Sequence, residues 1–83
     1  MTQMTMAEAL KWVADLFQEP LDTINPLTSR KEIDAWDSLG MLSLLAGLDE
    51  NFDLRLSVEQ TSGLRTVGDI LEVLRQHGNL INH

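Results

Sequence analysis

The sequence predicts an all-α fold: a four-helix bundle with a long first loop and a short third helix. Three observations carry that expectation. Apolar residues recur at helical spacing in three separate stretches, and each stretch opens on residues that cap helices. The one stretch that alternates like a strand, Leu54-Arg55-Leu56, has no second strand to pair with.

The first helix is expected over Met6 to Glu19. Thr5 followed three residues later by Glu8 is a capping-box pattern, Leu10, Val13, Ala14 and Phe17 share one face, and Pro20 is a stop signal. From Leu21 to Trp36 the chain carries Asp, Asn-Pro, Thr, Ser and mixed charge, with apolar anchors at Leu21, Ile24, Leu27, Ile33 and Trp36. This reads as a long loop with room for one helical turn, pinned across the core. Loops of that length are uncommon in small domains and are often functional.

The second helix runs from Ser38 to Asn51. Met41, Leu44, Leu45, Leu48 and Phe52 form a core-facing stripe, whereas Leu39, Leu42 and Ala46 lie off it. A domain this small does not bury a helix all round, so part of that second apolar face should be exposed, a mark of partner sites. An extended connector follows. Ser57 caps a short helix over Val58 to Thr61, ended by Gly63. Thr66 with Asp69, then Val67, Ile70, Leu71 and Leu74, forms the last helix, with Gly78 at its C-terminal end. Residues 1–4 and 79–83 read as frayed ends.

At 83 residues the chain is one domain, 1–83, and with two Trp and two Phe its core must come mainly from Leu, Ile and Val. The absence of cysteine removes disulfides, thiolate metal sites and a thiol nucleophile together. No basic segment followed by an apolar run marks a signal peptide, and no apolar run approaches the ~20 residues that span a bilayer. The chain is therefore expected to be soluble, cytoplasmic and monomeric and, lacking flanking linkers, freestanding. Thirteen acids against six bases leave a net charge of −7. That opposes binding to nucleic acid, which needs Lys and Arg to displace counterions, and favours partners with basic patches.

Asp49, Asn51 and Asp53 match the first three ligand positions of a calcium loop, but Leu54 and Gln60 stand where its glycine and closing glutamate belong. His77 and His83 have no ligand cluster around them, and "GLRTVG" lacks the spacing and lysine of a phosphate loop. No metal site and no catalytic set emerges, so the chain does not read as an enzyme. Ser38 has two readings. It is a helix N-cap, or it carries an anion at a helix mouth, where free N–H groups and the dipole's positive end favour negative charge.

The segments "WDSLGMLSLLAGLDENFDLRL" and "LRTVGDILEVL" together resemble the acyl carrier protein family over nearly the whole chain. The resemblance implies the same four-helix bundle with a long first loop. It also implies a 4′-phosphopantetheine arm, taken from coenzyme A by a phosphopantetheinyl transferase with Mg²⁺ and attached to Ser38 within the motif Asp37-Ser38-Leu39. The arm's thiol would carry an acyl group as a thioester, as in fatty-acid or polyketide biosynthesis. The second helix would be the recognition surface for acyl-activating, condensing or acyl-transfer enzymes, through Asp37, Asp49 and Glu50 against basic side chains and Leu42 and Ala46 as apolar contacts. Gly40 follows the motif, and Ser43 stands where fatty-acid synthesis carriers commonly have an acid. With Trp36 ahead of the motif, this resembles freestanding carriers of dedicated pathways. The alternatives are an aminoacyl or peptidyl carrier, or an unmodified interaction module in which Ser38 only caps its helix.

Overall fold

A computed structural model of the protein describes residues 4–78 and residue 80. Helix α1 (Met6–Phe17) opens on the expected box: the Thr5 hydroxyl accepts the Glu8 N–H at 3.2 Å and the Glu8 carboxylate accepts the Thr5 N–H at 3.0 Å. Two donors that a helix start leaves unpaired are thereby satisfied. It ends at Phe17 rather than Glu19, because Gln18 turns left-handed (φ 56°) and the Glu19 N–H reaches back to the Ala14 carbonyl at 2.9 Å. Pro20 disfavours helical backbone at the residue before it, which fixes the stop there.

Helix α2 (Ser38–Phe52) buries Leu44, Gly47 and Leu48, with Met41, Leu45 and Phe52 half-buried beside them. It runs one residue past the expected Asn51 and closes at Asp53 (φ 51°), where the Leu54 N–H bonds the Leu48 carbonyl at 3.2 Å. Leu54 is then buried, so the alternating stretch is an extended connector that anchors the chain. Helix α3 (Val58–Ser62) is short and capped by Ser57 with Gln60. Its fully buried Thr61 donates its hydroxyl to the Ser57 carbonyl at 2.9 Å, so the polar group is not orphaned. Helix α4 (Val67–Gln76) is capped by Thr66 with Asp69 and ends at His77, with Gly78 taking the positive φ of 75° just beyond. The described residues contain no strand, only isolated bridges.

Aliphatic residues fill most of the core, with Val13, Leu44, Leu48, Val67, Ile70 and Leu74 all fully buried. Aromatic pairs seal its ends. Phe17 stacks on Trp36 at 5.2 Å between ring centres, and Trp12 meets Phe52 edge-on at 5.1 Å.

The long loop contains two 3₁₀ turns, Leu21–Thr23 and Arg30–Glu32, where one helical turn was expected. Ile24, Ile33 and Trp36 are buried anchors as predicted, but Leu21 and Leu27 are not: Leu27 is 87% exposed. A turn over Asn25–Thr28 explains the reversal. The Leu27 N–H bonds the Asn25 side chain and the Thr28 N–H the Asn25 carbonyl, so Thr28 turns inward and Leu27 outward. Leu21 opens a 3₁₀ turn that has no buried residue.

The loop is tied to the start of α4 through its backbone. The Val67 N–H bonds the Thr28 carbonyl and the Gly68 N–H bonds the Pro26 carbonyl, each at 2.9 Å, while the Arg30 N–H bonds the Arg65 carbonyl at 2.7 Å. A Cβ at Gly68 would lie 2.7 Å from the Pro26 oxygen, so the approach requires glycine. Met4 and Leu80, expected in frayed ends, are instead buried and form a parallel bridge. The rest of those ends, 1–3, 79 and 81–83, lies outside the described residues, as does His83. No helix among the described residues is long and apolar enough to cross a membrane.

Candidate functional site

The site is the mouth of α2, and the loop before it fixes its position. Trp36 is buried on Phe17, its backbone N–H bonds the Ile33 carbonyl at 3.0 Å, and its carbonyl accepts the Arg30 Nε–H at 3.1 Å. The chain is thus held on both sides just before the motif. The first turn of α2 then packs directly on the loop: a Cβ on Gly40 would fall 1.8 Å from the Ala35 carbonyl oxygen. A glycine that costs roughly 1 kcal/mol of helix propensity is here the residue that permits this contact.

Asp37 caps α2. Its carboxylate accepts the Gly40 N–H at 2.9 Å, and its carbonyl accepts the Met41 N–H at 2.8 Å. This corrects the reading of Ser38 as the N-cap, because Ser38 is the first residue inside the helix. The capping position belongs to the aspartate because it alone keeps the extended backbone (φ −100°, ψ −162°) that lets a side chain fold back onto the third helical N–H. Ser38 is exposed, and its hydroxyl has no hydrogen-bond partner among the described residues. Leu39, 74% exposed, is turned into solvent. Beside them lies an open cleft of about 290 Å³ lined by Leu39, Gly40 and Ser43 from α2 with its cap Asp37, and by Leu16 and Phe17 from α1 with its cap Gln18. Sequence spacing gave no sign of that α1 wall, because only tertiary packing brings the end of α1 to the start of α2.

The remaining predicted site residues are all on the surface. Leu42 is 53% exposed, and Ala46, Asp49 and Glu50 are exposed too. Leu42, Ala46 and Asp49 share a second cleft, of about 310 Å³, with Leu45, Arg55 and Leu56. Glu50 does not line it. Asp49 pairs with Arg55 at 3.2 Å, an exposed contact that water screens heavily. Ser43 donates its hydroxyl to the Leu39 carbonyl at 3.2 Å and stays within its own helix. The described residues contain no group of three His, Cys, Asp or Glu side chains placed to hold a metal ion.

These features define a class, an all-helical four-helix bundle that exposes a serine at the mouth of its second helix. Part of the chain is similar to curated proteins. The chain is 37% identical over 43 residues to an acyl carrier protein of Chlamydia trachomatis serovar L2, a match covering 52% of this chain and 56% of that protein. It is 34% identical over 41 residues to an acyl carrier protein of Clostridium perfringens strain SM101, covering 49% of this chain and 54% of that protein. The match thus spans about half the length of the curated relatives. No family model matches the chain.

Proposed function

We propose that the protein is an acyl carrier in which Ser38 bears a 4′-phosphopantetheine arm and α2 presents the loaded arm to separate enzymes of a dedicated pathway in the cytoplasm. One observation carries this reading. Asp37 performs the capping, so the Ser38 hydroxyl is left exposed and unengaged.

The residues fit the group. The N–H groups of Ser38 and Leu39 belong to the first turn of α2, where no intrahelical acceptor exists, and the helix dipole favours negative charge there. Those two N–H groups would hold the phosphodiester. When bound, the arm supplies the thiol that a cysteine-free chain lacks. Nothing in the chain needs to perform chemistry. The domain contributes position, raising the effective concentration of a tethered acyl group at each partner's active site.

Partners would read the α2 surface. Asp37, Asp49 and Glu50 offer charge to the basic patches of a phosphopantetheinyl transferase and of acyl-handling enzymes, and Leu42 and Ala46 offer apolar contact. Incubation with a transferase, Mg²⁺ and coenzyme A should raise the intact mass by one arm, and Ser38→Ala should abolish the gain. A wild-type mass unchanged by several competent transferases would overturn the reading.

A further inference from the structure

The chain's six cations divide into two sets. Lys11, Arg55 and Arg75 each pair with an acid, namely Asp15, Asp49 and Glu72. Arg30, Lys31 and Arg65 form no ion pair among the described residues, and all three line one cleft of about 530 Å³. In a chain of net charge −7, half of the basic residues are therefore gathered in one place with no ion pair among the described residues.

The backbone builds this gathering. The Arg30 N–H bonds the Arg65 carbonyl at 2.7 Å, and Ser29 and Thr66 form an antiparallel bridge, so the loop and the α3–α4 connector lie side by side with their cations adjacent. Arg30 is half-buried and held by its Nε–H on the Trp36 carbonyl at 3.1 Å. Two carboxylates bond the backbone of the cleft's lining and not its cationic side chains. Glu32 accepts the Ser29 N–H at 2.7 Å, and Asp69 accepts the N–H groups of Arg65 and Thr66 at 2.9 and 3.2 Å. Ser29, Ser62 and Thr66 add hydroxyls to the cleft wall.

We propose that this cleft binds a small phosphorylated molecule carrying two or more negative charges. Guanidinium forks match phosphate oxygens geometrically, and three cations call for more charge than one carboxylate supplies. The volume is that of a small-molecule site, roughly 300–1,000 Å³. Three cations on an acidic domain are too few to hold a nucleic-acid backbone. The site is separate from Ser38, so its failure would leave the carrier reading untouched.

Amide NMR titration of the full chain with sodium pyrophosphate at constant ionic strength tests it. Saturable shifts should be confined to residues 29–31 and 62–66. The double variant Lys31→Gln/Arg65→Gln changes two exposed side chains and leaves the structural Arg30 in place. It should bind about tenfold more weakly or worse. Lys11→Gln/Arg75→Gln, with the same change in net charge, should bind like wild type. Shifts that sodium chloride reproduces, equal weakening in both double variants, or no saturation up to about 10 mM would each overturn the proposal. So would an acidic peptide producing the shifts where pyrophosphate produces none, which would make the cleft a protein-docking surface.

Discussion

The carboxylate of Asp37 accepts the Gly40 N–H at 2.9 Å, and this one bond takes the capping of α2 away from Ser38. With the cap made by the residue before it, Ser38 is free of any stabilising task. Asp37→Ala should therefore cost about 1 kcal/mol of stability, whereas Ser38→Ala should stay within about 0.5 kcal/mol of wild type. Urea unfolding followed by far-UV circular dichroism measures both. A larger loss for Ser38→Ala than for Asp37→Ala would return the capping role to the serine.

Gly40 and Gly63 make a matched pair. A Cβ at Gly40 meets the Ala35 carbonyl oxygen at 1.8 Å, and that oxygen is backbone with no rotamer to swing away. Gly40→Ala should destabilise by about 1–3 kcal/mol through overpacking, against a propensity gain of roughly 1 kcal/mol that works the other way. At Gly63 the nearest atom is 3.4 Å away and φ is −77°, so Gly63→Ala should change stability by less than about 0.5 kcal/mol. Equal tolerance of the two substitutions in thermal melts would mean that the loop is not seated on α2 as described.

Trp36 is 2% exposed, and its indole N–H has no acceptor among the described residues. An unpaired buried donor costs about 1–3 kcal/mol. Trp36→Phe removes that donor and keeps an aromatic ring against Phe17, so the loss of packing and the relief of the donor offset. The net change should stay within about 1.5 kcal/mol, while Trp36→Ala should lose about 3–5 kcal/mol. Chemical denaturation separates these outcomes. If Trp36→Phe proves as damaging as Trp36→Ala, the indole N–H has an acceptor, such as a bound water.

Local signals in the sequence were enough to locate every helix. Thr5 with Glu8, Ser57 with Gln60 and Thr66 with Asp69 are capping pairs set by neighbours three residues apart, and all three form. The core stripe of α2 was likewise legible, because a helix converts sequence spacing into a face. Relations made only by tertiary packing were hidden. The close approach of the Ala35 carbonyl to Gly40 leaves no mark on the sequence, and Leu27 read as an anchor until the turn at Asn25 pointed it outward. Asp37 and Ser38 are both good caps by composition, so only backbone angles could decide which of them does the capping.

Acid should weaken one exposed contact on α4. The hydrogen bond from Arg75, Nε to carboxylate at 3.0 Å, is the main cause holding Glu72 below the usual carboxylate range; desolvation opposes it, and the charge of Arg75 and the Gln76 hydrogen bond add smaller contributions in the lowering direction. A carboxyl lowered by folding stabilises above its unfolded value, and the contribution is lost as pH falls through its folded value. Arg75→Gln should therefore raise the titration midpoint of Glu72, read by carbon NMR of the carboxyl. The stability difference between variant and wild type should shrink as the solution is acidified. An unmoved midpoint in the variant would show that the pair does not persist in solution.

The exposed apolar face of α2 should matter to partners and not to folding. Leu42 is 53% exposed beside Ala46 and Asp49, while Leu48, on another face of the same helix, is fully buried. Leu42→Glu exchanges one exposed side chain for another and should change stability by no more than about 0.5 kcal/mol, whereas Leu48→Ala should cost about 2–5 kcal/mol. At limiting carrier concentration, the rate of arm transfer to Ser38 should fall about fivefold or more for Leu42→Glu, as expected for a contact worth over 1 kcal/mol at an interface. Both halves of the measurement are needed. A folded Leu42→Glu protein modified at the wild-type rate would show that the transferase docks elsewhere, and an unfolded one would show that Leu42 belongs to the core.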